Sequence, residues 1–91
     1  MIVLILQRVS ASLRGELTRW LLEPRTGVFV GRVSALVRDK LWELAIEKLK
    51  DGEALLLYQT DTEQGIAIKQ IGQSDRAVID YEGILLIQHL N

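Results

Sequence analysis

Residues 2–6 read Ile-Val-Leu-Ile-Leu, an unbroken apolar run that is β-branched at Ile2, Val3 and Ile5. So short a run with this composition is a buried strand, and a strand sends successive side chains to opposite faces of its sheet. Apolar residues at every position therefore require cover on both faces. The pattern returns at 54–57 (Ala-Leu-Leu-Leu) and at 84–87 (Ile-Leu-Leu-Ile). Three strands of one small domain thus ask to be buried on both sides.

Outward from residues 2–6, Ser10 and Ser12 are both suitable N-caps for a helix predicted to reach about Glu23. Leu13, Leu17, Trp20 and Leu21 would form its apolar stripe, and Pro24 would stop it. Gly27-Val28-Phe29-Val30-Gly31 reads as a short strand. Ser34 can cap a second helix to about Lys50, with Val37, Leu41, Ala45 and Leu49 on its apolar face and Gly52 as its C-terminal stop. Ala54–Tyr58 and Ile66–Ile71 read as strands separated by the turn residues Asp61 to Gly65. Gly72 to Ala77 is a polar loop, and Ile84–Ile87 is the last strand.

The predicted order is β-α-β-α-β-β-β, an α+β two-layer sandwich of ferredoxin-like type, with two helices on a mostly antiparallel sheet. All 91 residues form a single domain on this reading. Two helices cover only one face of the sheet. The simplest cover for the other is a second copy of the same sheet, so a homodimer is expected.

The absence of cysteine removes disulfide scaffolds and thiolate metal sites from consideration. The first apolar run is too short for a membrane span and lacks the features of a signal peptide, so a cytoplasmic chain with no membrane partner is expected. The net charge is −1, but it is unevenly placed. Through Lys40, seven basic residues stand against three acids, a net +4, and from Leu41 onward four face nine, a net −5. Six of the early seven are arginine (Arg8, Arg14, Arg19, Arg25, Arg32 and Arg38), the side chain best suited to phosphate. A scattered solvated surface accounts for the same residues equally well.

Signatures of catalytic chemistry are sparse. His89 has no neighbouring carboxylate, and the glycines form neither a Walker nor a dinucleotide pattern. Asp61 with Glu63, and Asp80 with Glu82, are close carboxylate pairs that read as solvated turn residues. If Ser12 is the cap, Arg14 lies in the first helical turn beside Gly15, an arrangement suited to an anion. Trp20 and Trp42 fall near the apolar stripes of their helices, and Phe29 and Tyr58 are strand residues, so all four read as core. Single-strand binding by base stacking is not supported.

Trp20-Leu21-Leu22-Glu23, Arg25, Gly27-Val28-Phe29-Val30-Gly31, Val33-Ser34-Ala35, Arg38 and Trp42 make an unusual string. It closely resembles the type I-E branch of CRISPR-associated protein two, the smaller spacer-acquisition subunit, and the likeness continues to Gly83-Ile84-Leu85-Leu86. The resemblance implies a ferredoxin-like protomer that dimerises through its sheet. It implies a dimer clamped between two dimers of the CRISPR integrase, gripping the midsection of a DNA duplex with splayed ends. Residues 78–91 would form the C-terminal strand region for dimer and integrase docking. Phosphate contacts suit a machine that must accept any sequence.

Carried over position by position, Arg14 and Arg76 match basic DNA-contacting places of this branch, while their companion positions hold Ser12 and Asp75. Arg8, Arg38 and Lys40 are candidates to compensate. The family also has a metal-dependent endonuclease assignment, on RNA or DNA, that rests on an acid at the end of the first strand. Gln7 followed by Arg8 stands there, a poor setting for Mg²⁺, so no cofactor and no catalytic residue are expected. A metal-dependent nuclease is the alternative, and a ligand-binding regulatory domain is the third possibility.

Overall fold

A computed structural model describes residues 1–49, 51–61 and 63–72, together with the backbone of 78–82. Its elements are β1 (Ile2–Leu6), α1 (Ala11–Leu17), β2 (Leu22–Arg25), β3 (Val28–Gly31), α2 (Ala35–Lys48), β4 (Ala54–Gln59), β5 (Ile66–Ile71) and β6 (Val78–Glu82). The sheet order is β2-β3-β1-β4-β5-β6, and every neighbouring pair is antiparallel. From β1 to β4 this is the ferredoxin-like split βαβ arrangement, and β5 and β6 extend the sheet beyond β4. The expected α+β fold with two helices on an antiparallel sheet is the observed one.

β1 lies between β3 and β4 and shows why both of its faces are apolar. Ile2, Leu4 and Leu6 are buried, while Val3 and Ile5 are only half-buried. The first set joins Leu13 and Leu17 of α1, Leu41, Trp42 and Ala45 of α2, and Phe29 of β3 in the core. Register carries the second set across the sheet. Val3 is opposite Val30 and Leu57, and Ile5 is opposite Val28 and Leu55. Leu57 in turn faces Ile68, and Leu22 faces Val30. An apolar field thus crosses the face away from the helices, and at its rim Leu22 is 74% exposed.

The largest departure from expectation lies between residues 17 and 31. Ser10 is the cap of α1, accepting the Leu13 N–H at 3.1 Å, and the helix ends at Leu17 rather than near Glu23. Pro24 does not stop a helix but lies within β2, which among the described residues is an edge strand paired only to β3, through an irregular register. A residue without an N–H is tolerated at such an edge. Gly27, at φ +82°, turns the chain between β2 and β3, and its carbonyl accepts the Leu6 N–H at 2.8 Å. Trp20 therefore leaves the helical stripe on which it was placed and is 54% exposed. Trp42 and Phe29 are buried as expected.

α2 is capped by Ser34 and ends at Lys48, with Leu49 already extended, so the glycine stop expected at Gly52 is not used. Gly52 serves a close approach instead, since a Cβ there would collide with the Gln7 carbonyl. The strand Val78–Glu82 precedes the last strand expected from the residue pattern at 84–87, and it puts Asp80 and Glu82 in a strand rather than a turn. The strand expected at 84–87 lies outside the described residues. Among the described residues, no helix is long and apolar enough to cross a membrane.

Candidate nucleic-acid interface

Among the described residues, Arg14, Arg8 and Lys40 border three different hollows and Arg38 packs on Tyr58. Arg14 is the fourth residue of a seven-residue helix, and its N–H is already bonded to the Ser10 carbonyl at 3.0 Å. The anion site expected at that helix N-terminus is therefore not formed. The Arg14 side chain is committed elsewhere. Its Nε donates to both carboxylate oxygens of Glu23, at 3.0 and 3.1 Å, and one of those oxygens also accepts the Gly27 N–H at 2.9 Å. The Gly27 hydrogen bond, and after it Arg14, hold the Glu23 carboxyl below its usual range against an opposing contribution from desolvation. Pro24, Arg25, Thr26 and Val28 line the same cleft.

Arg8 is exposed and adopts φ 66°, a left-handed conformation uncommon for a residue with a side chain. It borders a separate depression with Val9, Ser10, Lys48 and Asp51. Lys48 itself bridges the two helices, reaching Glu16 at 2.8 Å and Ser12 at 3.1 Å. Arg38 is packed rather than presented. Its guanidinium lies 3.9 Å from the centre of the Tyr58 ring, its Nε bonds Asp39 at 3.0 Å, and its side chain is 19% exposed. Lys40 is exposed and borders an apolar hollow formed by Trp20, Val37, Leu41 and Leu44. Arg76 lies outside the described residues, as do Asp75 and His89.

At the end of β1, Gln7 is exposed, and its N–H donates to the Glu53 carbonyl at 2.9 Å. It shares a shallow recess with Glu53 and Gln70. Among the described residues, no three His, Cys, Asp or Glu side chains come close enough together to hold a metal ion. Residues 1–86 match the family described as CRISPR-associated protein (Cas_Cas2CT1978). The chain belongs to this CRISPR-associated family.

Membership covers β1 through β6 and so includes the cleft, the recess at Gln7 and the apolar outer face. Within this family member, the pairing of Arg14 with Glu23 and the neighbouring Arg25 were not evident from sequence. A helix running to Glu23 would put residues nine apart on opposite sides, because each step rotates by about 100°. Breaking the helix at Leu17 and reversing the chain into β2 brings the two side chains together. The signal that could have revealed this was Pro24, which fits an edge strand as well as a helix stop.

Proposed function

We propose that this CRISPR-associated protein is a non-catalytic, homodimeric, DNA-binding subunit of a spacer-acquisition complex, of the type I-E kind its sequence resembles. The observation that carries the proposal is the half-exposed apolar face formed by Val3, Ile5, Val28, Val30, Leu55 and Leu57 in a member of this family. Apolar surface of this extent is stabilised by removal from water, and an isologous contact with a second copy accomplishes that for both protomers. The dimer would bridge two integrase dimers and hold the backbone of a duplex with splayed ends in the cytoplasm. Arg14 and Arg76 would supply the grip, assisted by Arg8 and Lys40, whereas the packing of Arg38 on Tyr58 favours a structural role for it. Gln7 at the end of β1 supports a role without bound metal.

Size-exclusion chromatography with light scattering tests the assembly. The chain alone should run as a dimer, and it should join the integrase of its own operon and a splayed duplex in one larger complex. A chain that stays apart from both overturns the proposal. The DNA face is tested by Arg14→Ala with Arg76→Ala. The double variant should bind duplex DNA more weakly and lose about two units from the slope of log K against log salt. Cleavage of RNA or DNA that requires added Mg²⁺ and disappears in Gln7→Ala would establish the nuclease alternative.

A further inference from the structure

The cleft between α1 and the β2–β3 hairpin combines two arginines with one well-anchored acid. Glu23 is the inner member, with its side chain 16% exposed, and Arg14 is the outer, at 37%. The Gly27 N–H fixes the carboxylate at 2.9 Å, and the carboxylate then holds Arg14 by Nε alone. A guanidinium is a rigid planar fork, so a contact at Nε sets the direction of the whole group. Among the described residues, neither Nη of Arg14 is engaged in a hydrogen bond. Those two nitrogens carry four N–H donors with the spacing that suits two oxygens of one phosphate. Arg25 is exposed beside them, and the three side chains together carry +1.

We infer that Arg14 and Arg25 together take a single backbone phosphate of duplex DNA in this cleft, and that Glu23 is a positioning residue that aims Arg14 at it. The inference rests on the proposed role of Arg14 at the DNA. Glu23 acts by removing rotational freedom: an arginine already oriented loses less entropy on meeting its phosphate. A simple counter-ion would act in the opposite sense, competing with phosphate for Arg14 and weakening the grip.

The test is duplex binding by the full chain at several salt concentrations, with Arg14→Ala, Arg25→Ala, Glu23→Ala, Glu23→Asp and the Arg14→Ala/Glu23→Ala pair. Each arginine variant should lose about tenfold in affinity and about one unit of salt slope. Glu23→Ala should lose as much as Arg14→Ala, and the pair should lose no more than either alone. Glu23→Asp keeps the charge but is too short to span Gly27 and Arg14, so it should bind weakly too, and it carries the test if the alanine variant does not fold. In the parent, the Arg14 Nε–H signal in NMR should stay slowly exchanging when duplex is added. Tighter binding by Glu23→Ala, parental binding by Glu23→Asp, or loss of the Nε–H protection on adding DNA overturns the positioning role while leaving the DNA-binding proposal intact. Parental binding by Arg25→Ala overturns the shared phosphate site. Parental binding by Arg14→Ala removes the DNA face itself, and this site with it.

Discussion

The two faces of the sheet are made of nearly the same side chains and meet opposite fates. On the helix side Ile2, Leu4, Leu6, Phe29 and Leu56 are buried, while on the other Val3, Ile5, Val30, Leu55 and Leu57 are left half-covered. Alternation along β1 makes the contrast residue by residue within one five-residue strand. A surface meant for water would carry polar residues at every second position, as one-sided antiparallel sheets do. The outer face lacks that alternation in β1, β3 and β4, so its composition is not that of a surface patterned for water.

The largest effect separates the faces by stability. Phe29→Ala, at a fully buried position in the core, should cost about 3–5 kcal/mol in denaturant unfolding. Leu57→Ala on the other face should cost much less in a monomer, and approach the core value only if a partner covers it. The next effect breaks the comparison directly. Leu57→Glu puts a charge in the middle of the outer face, opposite Val3 and Ile68, where burial against another apolar sheet would be costly. Light scattering should report a monomer, and circular dichroism should report a folded one. A Leu57→Glu chain that remains a dimer would place the self-association surface elsewhere.

How far the sequence could be read follows the same division. Continuous apolar runs at 2–6 and 54–57 revealed the strands and the need for cover on both faces, because burial on both sides leaves a strong, local signature. The core residues Leu13, Leu17, Leu41, Trp42 and Ala45 were legible for the same reason. The stretch from Thr18 to Arg25 was not, because Leu-Thr-Arg-Trp-Leu-Leu-Glu continues a helical stripe that the chain does not follow past Leu17. Tertiary pairing of β2 with β3 overrode that local pattern, exposing Trp20 and bringing Glu23 to Arg14. The strand at Val78–Glu82 was hidden by the charged residues Asp80 and Glu82, which look like a turn; it lies at an edge of the sheet among the described residues. Arg14 was found as a candidate, but its pairing with Glu23 was not, since a contact nine residues apart has no fixed spacing.

At the rim of the sheet, the Glu23 anchor predicts a pH dependence. Its carboxyl lies below the reference value of 4.5, chiefly through the Gly27 N–H. A lowered folded value stabilises the charged form, so the contribution is present above that reference and is lost as pH falls through the lower folded value. The melting temperatures of the parent and Glu23→Gln should therefore differ most near neutrality and converge in acid. A constant difference down to the acid limit would mean that Glu23 contributes through packing rather than charge.

The smallest effect belongs to the solvent side of α1, a surface that needs no cover. Gly15 lies inside that helix, and a Cβ built there meets nothing within 4 Å. Gly15→Ala should therefore stabilise the protein by about 0.5–1 kcal/mol, by reducing the freedom of the unfolded chain. That gain should be independent of protein concentration, because no sheet contact is involved, whereas every effect at Leu57 should depend on it. Gly15 also adjoins Arg14, so duplex affinity in the same variant reports how closely DNA approaches the backbone. A methyl group that raises stability and weakens binding puts the phosphate against the helix itself, whereas one that raises stability alone leaves it at the reach of the arginine side chains.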